Sequence, residues 1–350
     1  MFARAYLLFC LILPVSSAHE VLRPKVVVVT MFEVGADTGD TPGELQLWVE
    51  REKLDRVIPL PAAHHAVRAN ADGSVCAVVT GVGNTNAAAS IMALGCDPRF
   101  DLRQTYWLVA GIAGIDPADG SIGSAVWTDY VIDGDLTHEI DAREIPREWP
   151  TGFVPLRKST PYEGATPADQ LTEQVFALDP ALLRWAFELT RDTALLDNTE
   201  MKARRATYTD TPAAREPPTV LRGANLASSN YWHGRLLNER SNRWVSYFTG
   251  GKANYVTTAM EDSGTLRALT NLARAGKVDV RRTLVLRTAS NYDMQWPGAT
   301  AAESMSGEKL GIYTAYIPSL EAAHRVGRRV VHALVAGWDK HATTPPTSAK

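Results

Sequence analysis

The sequence of 350 residues has few cysteines, no excess of charge of one sign and no long apolar run beyond its first residues. Three cysteines are too few to build a disulfide framework in place of a core. The body of the chain lacks the roughly 20 consecutive apolar residues that a membrane-spanning helix needs. A formal net charge of −3, with acids and bases interspersed, excludes the basic surface of proteins that bind nucleic acid polymers. Hydrophobic residues make up 45% of the chain, so we expect a globular protein with a large core.

The first residues have the layout of a secretory signal peptide. Arg4 supplies a positive charge, an apolar stretch follows from about Ala5 to Val15, and small residues occupy 16–18. About eleven apolar residues are too few to span a bilayer, which needs roughly 20. We therefore predict a signal peptide at 1–18, cleaved after Ala18, and a secreted or periplasmic protein. The alternatives are an uncleaved anchor and a buried strand.

Export would place Cys76 and Cys96 in an oxidising compartment, whereas Cys10 leaves with the signal peptide. Cys76 lies near the start of an apolar run, and Cys96 lies at the end of the helix-like run that follows. A helix that packs back along its strand brings these two ends together, so a disulfide is conceivable and would contribute roughly 3 kcal/mol. Two free thiols are the alternative.

Apolar runs alternate with helix-like segments along the chain. The predicted strands are 25–31, 75–80, 106–110, 124–132, 220–226 and 283–287, and the predicted helices are 86–95, 180–191, 262–275 and 318–338. This alternation is typical of an α/β sheet. Residues 149–218 are rich in proline, threonine and charge, which predicts surface excursions carrying one helix. Residues 341–350 are predicted to be a disordered tail.

Three short polar segments each follow an apolar run that predicts a strand. They are TGVGNTN at 80–86, AMED at 259–262 and RTASN at 287–291. Ligands of open α/β sheets bind at the carboxyl ends of the strands, where these segments can meet. A ligand bound there would contact a glycine-lined loop, a carboxylate and an amide, which are groups that can bind a nucleoside.

Each of these residues also has an ordinary structural explanation. The glycines of the first segment resemble a dinucleotide fingerprint, but Asn86 replaces the third glycine, so a tight turn without a ligand stays open. Glu261 is a carboxylate favoured by the dipole at the start of a helix. Asn291 suits the cap of a turn. Glu33, just past the first predicted strand, fits an ordinary acidic residue of a surface loop.

The order of these residues resembles the nucleoside phosphorylase and nucleosidase superfamily, and within it the group called purine nucleoside permeases. The segments that carry the resemblance are TGVGNTN at 80–86, DGDLTHEIDAREIP at 133–146 and YWHG at 231–234. The resemblance covers roughly 24–338. It implies a single nucleoside-phosphorylase-like α/β domain at 19–340, with a central mixed sheet flanked by helices. It also implies purine nucleoside ligands and cleavage of the N-glycosidic bond without a metal or cofactor.

The resemblance implies roles for individual side chains. Glu261 would accept hydrogen bonds from the 2′ and 3′ hydroxyls of ribose, since a carboxylate offers several acceptor sites. Asn291 would bind the purine near N7, and Glu33 would orient and deprotonate the attacking water. Tyr231 or Trp232 would stack on the base. The predicted binding residues are Gly81, Gly83, Asn84, Tyr231, Trp232, Met260, Glu261 and Ser290.

The chemistry of bond cleavage asks for similar groups. An oxocarbenium-like transition state puts positive charge on the sugar and negative charge on the leaving base. An acid or amide must therefore stabilise the base, while one carboxylate aligns the sugar and another activates water. Asn291 has no proton to titrate, so Asp293 is an alternative donor. The predicted catalytic residues are Glu33, Asn291 and Asp293.

Several other functions stay open. Phosphorolysis would need cationic donors for phosphate, but residues 30–37 contain two acids and no arginine, which favours hydrolysis. A non-catalytic nucleoside-binding component that feeds a membrane transporter is the next alternative. The acids at 133–141 are dense enough to suggest calcium but lack the spacing of an EF-hand, which favours a solvated loop. Neither a transporter partner nor a homo-oligomer is decided by the sequence.

Overall fold

A mixed β-sheet of ten strands lies at the centre of the computed structural model, which describes residues 21–164, 174–307 and 313–347. The strands are β1 (Val26–Thr30), β2 (Arg56–Ile58), β3 (Val67–Ala69), β4 (Val75–Val79), β5 (Tyr106–Ile115), β6 (Ala125–Asp133), β7 (Thr137–Glu139), β8 (Phe153–Pro155), β9 (Val175–Ala177), β10 (Val220–Ala227), β11 (Tyr255–Ala259) and β12 (Thr283–Tyr292). Strands β7 and β8 form a separate pair. The predicted signal peptide at 1–18 lies outside the described residues and stays a prediction.

Helices pack on both faces of this sheet. They are α1 (Gln46–Glu52), α2 (Asn84–Cys96), α3 (Pro180–Thr190), α4 (Thr199–Ala206), α5 (Pro212–Arg215), α6 (Arg235–Thr249), α7 (Asp262–Arg274), α8 (Ala301–Ser306), α9 (Tyr316–Ala336) and α10 (Trp338–His341). Within the described ranges, no helix combines the length and the apolar character needed to cross a membrane.

The sheet curls on itself at one end. Its strand order is β11-β10-β6-β12-β5-β1-β4-β3-β2, with β9 added to β6, and β11 also pairs with β5. Strands β5, β12, β6, β10 and β11 therefore close into a ring. Strands β4, β1, β5 and β12 run parallel to one another, so their carboxyl ends lie at a common edge.

The apolar runs explain which segments become central strands. All five residues of β1 are buried, because the strand is covered on both faces. Val26 and Val28 face a cluster that includes Trp48 of α1 and residues of α9. Val27 and Val29 face the opposite cluster, which contains residues of α2 and α7. The two-residue period of a strand thus divides β1 between two helical layers.

The predicted strands and helices all appear, with differences at their ends. Strands β5 and β12 extend to Ile115 and Tyr292, beyond the predicted 110 and 287. The described part of 149–218 contains three helices, α3, α4 and α5, where one was predicted. The two additional helices are short, with eight and four residues, so they show little of the apolar periodicity that reveals longer helices.

Cys76 and Cys96 are free thiols. Cys76 faces the cluster formed with Ile91 and Leu94, whereas Cys96 is exposed at the end of α2. Because the two side chains lie in different environments, the conceivable disulfide does not form. Burial raises the pKa of the Cys76 thiol to about 12, which makes it a packing group and not a reactive one.

The chain after α9 is held to the sheet where its disordered tail was predicted to begin. The Tyr106 hydroxyl donates to the backbone carbonyl of His341 at 2.8 Å. Arg282 donates to the carbonyls of His341 and Ala342, each at 2.8 Å. The first two residues of the predicted tail therefore contact the sheet and the segment before β12, and the disorder of the tail stays a prediction.

Candidate functional site

A cavity of about 580 Å³ lies at the carboxyl ends of β1, β5, β11 and β12. This volume is within the range of about 300–1,000 Å³ that small-molecule sites occupy. Its walls are largely apolar, and its ionisable acids are Glu33, Glu44 and Glu261. Among the described residues that line it there is no lysine, arginine or histidine. The cavity therefore suits an uncharged ligand with hydroxyl groups and an apolar ring.

Glu261 lies between the end of β11 and the start of α7 and is almost completely buried. Its Oε1 accepts the Gly83 backbone N–H at 3.2 Å, and its Oε2 accepts the Met260 backbone N–H at 3.2 Å. Arg287 Nη2 lies 3.3 Å from Oε2. Burial raises the pKa of Glu261, and the charge of Arg287 opposes that rise. The carboxyl group is thus fixed at the cavity wall, with about one acceptor site, on Oε1, left for a ligand.

A buried ion pair supports Glu261. Arg287 donates from Nε and Nη2 to the two carboxylate oxygens of Asp262, and Asn225 Nδ2 donates to Asp262 Oδ2 at 2.6 Å. Burial alone would lower the pKa of Arg287, but the charges of Asp262 and Glu261 outweigh this effect and raise it. Arg287 stays charged and is not among the residues that line the cavity.

Glu44 is a cavity residue that the sequence did not reveal. Its Oε2 accepts the Met31 backbone N–H at 2.7 Å, and its Oε1 accepts the Ile112 backbone N–H at 2.7 Å. Strand β5 has a glycine at the point of closest approach, where a Cβ on Gly111 would lie 2.6 Å from Glu44 Oε1. The Glu44 carboxyl group therefore bridges Met31, just after β1, and Ile112 of β5.

The environment of Glu44 favours its protonated form. Burial raises its pKa to about 8, with the charge of Arg287 opposing the rise and the charge of Glu261 adding to it. A carboxyl group with a pKa close to neutral pH is suited to exchange protons during a reaction.

Glu33 also lines the cavity, but its oxygens are already in use. Oε1 accepts the backbone N–H groups of Val34, at 2.9 Å, and of Gly43. Oε2 accepts those of Leu45, at 2.8 Å, and of Gln46, at 2.7 Å. A carboxylate has about four lone-pair sites, and four donors occupy them here. Glu33 therefore holds the start of α1, which begins at Gln46.

Asn291 lines the cavity near the end of β12. The pairing of β12 with β5 shifts register between Ala289 and Asn291, an irregularity of the kind that redirects side chains beside functional sites. Asn291 Nδ2 donates to the Tyr292 carbonyl at 3.0 Å and to the Tyr231 hydroxyl at 3.3 Å. Ser290 Oγ donates to Asn291 Oδ1 at 2.8 Å. Ser290, Asn291 and Tyr231 all line the cavity, as does Met260.

The predicted glycine loop, residues 80–86, lies behind Glu261. Of these residues only Val82 lines the cavity. Gly81 and Gly83 have φ angles of +83° and +90°, which other residues rarely adopt. This conformation directs the Gly83 N–H to Glu261. Asn84 contacts Ser229 and other loop groups. Gly81, Gly83 and Asn84 thus lie behind the cavity lining, and their direct contact with a ligand stays a prediction.

Trp232 and Asp293 also lie outside the cavity lining. Trp232 is 8% exposed and packs near Tyr255 with ring centroids 6.4 Å apart, so of the two aromatic candidates only Tyr231 lines the cavity. Asp293 accepts hydrogen bonds from Asn238 Nδ2 and from the Tyr255 hydroxyl. Burial, with the nearby charge of Asp116, raises the pKa of Asp293 well above its ordinary value. Its carboxyl group is confined to this buried network.

The sequence matches proteins that share one description. A family model described as purine nucleoside permease matches residues 23–345. The chain is 30% identical over 327 residues to a purine nucleoside permease of Candida albicans, covering 91% of this chain and 77% of that protein. It is 28% identical over 336 residues to a probable purine nucleoside permease of Schizosaccharomyces pombe, covering 91% of each.

The fold is similar to those of solved hydrolases. The 5′-methylthioadenosine/S-adenosylhomocysteine nucleosidase of Helicobacter pylori is 14% identical, with a TM-score of 0.51, 90% of this chain covered and 98% of that one. A futalosine hydrolase mutant from the same organism is 14% identical, with a TM-score of 0.52 and coverage of 89% and 100%. The predicted nucleoside-phosphorylase-like α/β fold with a central mixed sheet is thereby confirmed.

Proposed function

The chain belongs to the purine nucleoside permease family, and we propose that it binds a purine nucleoside in this cavity and hydrolyses the N-glycosidic bond to free base and ribose. The family and the nucleosidase-like fold both support nucleoside binding. The observation that carries the hydrolytic step is the presence of two buried carboxyl groups, Glu261 and Glu44, in one cavity without a cationic side chain in its described lining.

In this proposal Glu261 binds the sugar. The Gly83 and Met260 amides and Arg287 occupy about three of its four acceptor sites, which leaves one on Oε1 for a hydroxyl of the ribose diol. Hydrogen bonds to a charged acceptor are stronger than those between neutral groups.

In this proposal Glu44 takes the role that the family resemblance implies for Glu33. Four N–H donors occupy the lone pairs of Glu33, whereas Glu44 accepts two and has acceptor capacity left. The deprotonated Glu44 would take a proton from water as the water oxygen bonds to C1′. The C1′–N9 bond breaks at the same time, and its electron pair passes to the purine.

Asn291 stabilises the leaving base in this scheme. Its Nδ2 donates at 3.3 Å to the Tyr231 hydroxyl, and a purine N7 could replace that hydroxyl as acceptor. An amide donor aimed at developing negative charge lowers the barrier without transferring a proton. The departing base would then take its proton from solvent.

The charge of the cavity favours water over phosphate as the nucleophile. Enzymes that bind phosphate use arginine, lysine or clustered backbone donors. Here the cavity presents carboxyl groups, and the nearby Arg287 is committed to Asp262. We therefore expect added phosphate to leave the rate of base release unchanged.

The names of the two fungal relatives favour a second candidate, a nucleoside-binding component that feeds a separate membrane transporter. Titration calorimetry with inosine, followed by chromatography of the solution from the calorimeter, distinguishes the two functions. Hydrolysis predicts a heat signal that continues after saturation and recovery of hypoxanthine. Binding alone predicts a simple isotherm and intact inosine.

The proposed base makes the reaction depend on pH. Because burial raises the pKa of Glu44 to about 8 and only its deprotonated form accepts a proton, kcat/KM should rise about tenfold per pH unit between pH 6 and 7 and level off above about 8. The measurement is a steady-state rate profile with inosine. A midpoint near the ordinary value of a glutamate, or a rate that falls over this range, would contradict the assignment.

A further inference from the structure

The acidic segment at 133–146 carries much of the family resemblance but has no part in the proposed reaction. Its carboxylates point to different partners. Asp141 pairs with Arg143 of the same segment. Asp133 Oδ1 accepts the backbone N–H groups of Asp135 at 2.8 Å and of Leu136 at 3.0 Å, which fixes the turn after β6. Asp135 reaches across to two other segments.

Asp135 joins two segments that are remote in sequence. Its Oδ1 accepts from Ser228 Oγ at 2.6 Å. Its Oδ2 accepts from the Ser229 backbone N–H and from Asn84 Nδ2, each at 2.9 Å. An exposed acid normally contributes little, but three hydrogen bonds to two segments give this one a defined position.

Residues 228–234, here called the cover loop, connect β10 to α6 and carry Tyr231 to the cavity. The cover loop has a second attachment, in which the Asn84 backbone N–H donates to Ser229 Oγ at 3.0 Å. Asn84 Oδ1 in turn accepts the Gly264 backbone N–H at 2.9 Å, in the first turn of α7. The cover loop is therefore tied to the helix that begins beside Glu261.

We propose that Asp135 is a positioning residue for nucleoside binding, because its hydrogen bonds hold the cover loop so that Tyr231 closes the cavity over the base. Asp135 lies outside the cavity lining and acts through Tyr231, whose hydroxyl meets Asn291 at the cavity wall. The inference rests on the proposed nucleoside site and adds a determinant of affinity to it.

The hydrogen-bonding pattern separates this role from a simple effect of charge. Asp135 Oδ2 faces N–H donors, which cannot accept a hydrogen bond. Asp135 Oδ1 faces the Ser228 hydroxyl, which can both donate and accept. In Asp135→Asn, the amide oxygen can take the place of Oδ2 while the amide nitrogen donates to Ser228 Oγ. Asp135→Ala removes all three hydrogen bonds. Asparagine should therefore rescue most of what alanine loses.

The test is the dissociation constant of inosine, measured by calorimetry on the full chain and its variants, each carrying Glu44→Gln so that inosine is bound and not hydrolysed. Loss of charged hydrogen bonds should weaken binding about tenfold in Asp135→Ala, and less than about threefold in Asp135→Asn. Asp141→Ala is the matched control, because its carboxylate pairs only within its own segment in the hydrogen bonds described, and it should bind as the wild type does. Equal weakening in the alanine and asparagine variants would overturn the proposal.

A double-mutant cycle with Tyr231→Ala shows whether Asp135 acts through the tyrosine. Loss of stacking should weaken inosine binding about tenfold in Tyr231→Ala alone. If the two residues act as one unit, adding Asp135→Ala should change binding less than about twofold further. Two losses that simply multiply would contradict the proposed route.

Hydrogen exchange of the ligand-free protein tests the same attachment without a nucleoside. Amides of the cover loop should exchange faster in Asp135→Ala than in the wild type and in Asp141→Ala. If the wild type bound no inosine, the proposed function would fail, but the exchange rates would still show whether Asp135 holds the cover loop. Unchanged exchange in Asp135→Ala would overturn that role, whether or not inosine binds.

Discussion

Replacing Glu44 with glutamine is expected to lower kcat for inosine hydrolysis by about 10²–10⁴-fold, the usual contribution of a general base. The side chain keeps its size but loses the ability to take a proton from water. Binding of inosine should change little, because the sugar is held by Glu261 and the base by Asn291 and Tyr231. Single-turnover rates and calorimetric dissociation constants measure the two effects separately.

Glu33→Gln is the matched control for this variant. Both acids line the cavity, but Glu33 is occupied by four N–H donors at the start of α1. Glutamine would put its amide nitrogen against two of these N–H groups, which should lower the free energy of unfolding by about 1–3 kcal/mol for each and leave kcat within a few-fold. In Glu44→Gln, one backbone N–H would face the amide nitrogen, at a cost of about 1–3 kcal/mol. A turnover loss confined to Glu33→Gln would reverse the two assignments.

Replacing Glu261 with alanine is expected to weaken inosine binding by about 10–10²-fold. A hydrogen bond from a ribose hydroxyl to a charged acceptor is lost, which contributes about 1.5–3 kcal/mol. The fold should persist, because Arg287 keeps its bonds with Asp262 and that carboxylate keeps Asn225. Calorimetry gives the dissociation constant, and thermal unfolding checks the fold.

A nucleoside without the diol makes this prediction specific. The wild type should bind inosine much more tightly than 2′,3′-dideoxyinosine, because only the first can donate to Glu261. Glu261→Ala should bind the two with similar affinity. If the variant kept the preference of the wild type for inosine, the diol would be recognised by another group, and Glu261 would lose its assigned role.

Parts of the fold and of the site are determined by short segments of the sequence, and these parts could be predicted. The run of valines in β1 and the runs in β4 and β12 mark strands buried on both faces, and the polar residues after them mark the edge where Glu261 and Asn291 meet. The strong periodicity of long segments likewise gave α7 and α9 to within a few residues.

Other features depend on contacts between distant segments. Glu44 looks like an ordinary acid before a short helix, and only the folded chain brings it to the amides of Met31 and Ile112. Gly111, which makes room for it, lies within an apolar strand. Tyr231 and Trp232 are neighbours in sequence, so the path of the cover loop alone decides which of them lines the cavity.

The central claim is that water cleaves a nucleoside in this cavity, and product analysis in phosphate-free buffer tests it most directly. The purified protein is incubated with inosine, adenosine and guanosine, and the free base and sugar are separated by chromatography. We expect equal amounts of base and free ribose, at a rate that added phosphate does not raise. Nucleoside recovered intact under every condition, or a sugar phosphate formed only when phosphate is present, would contradict hydrolysis.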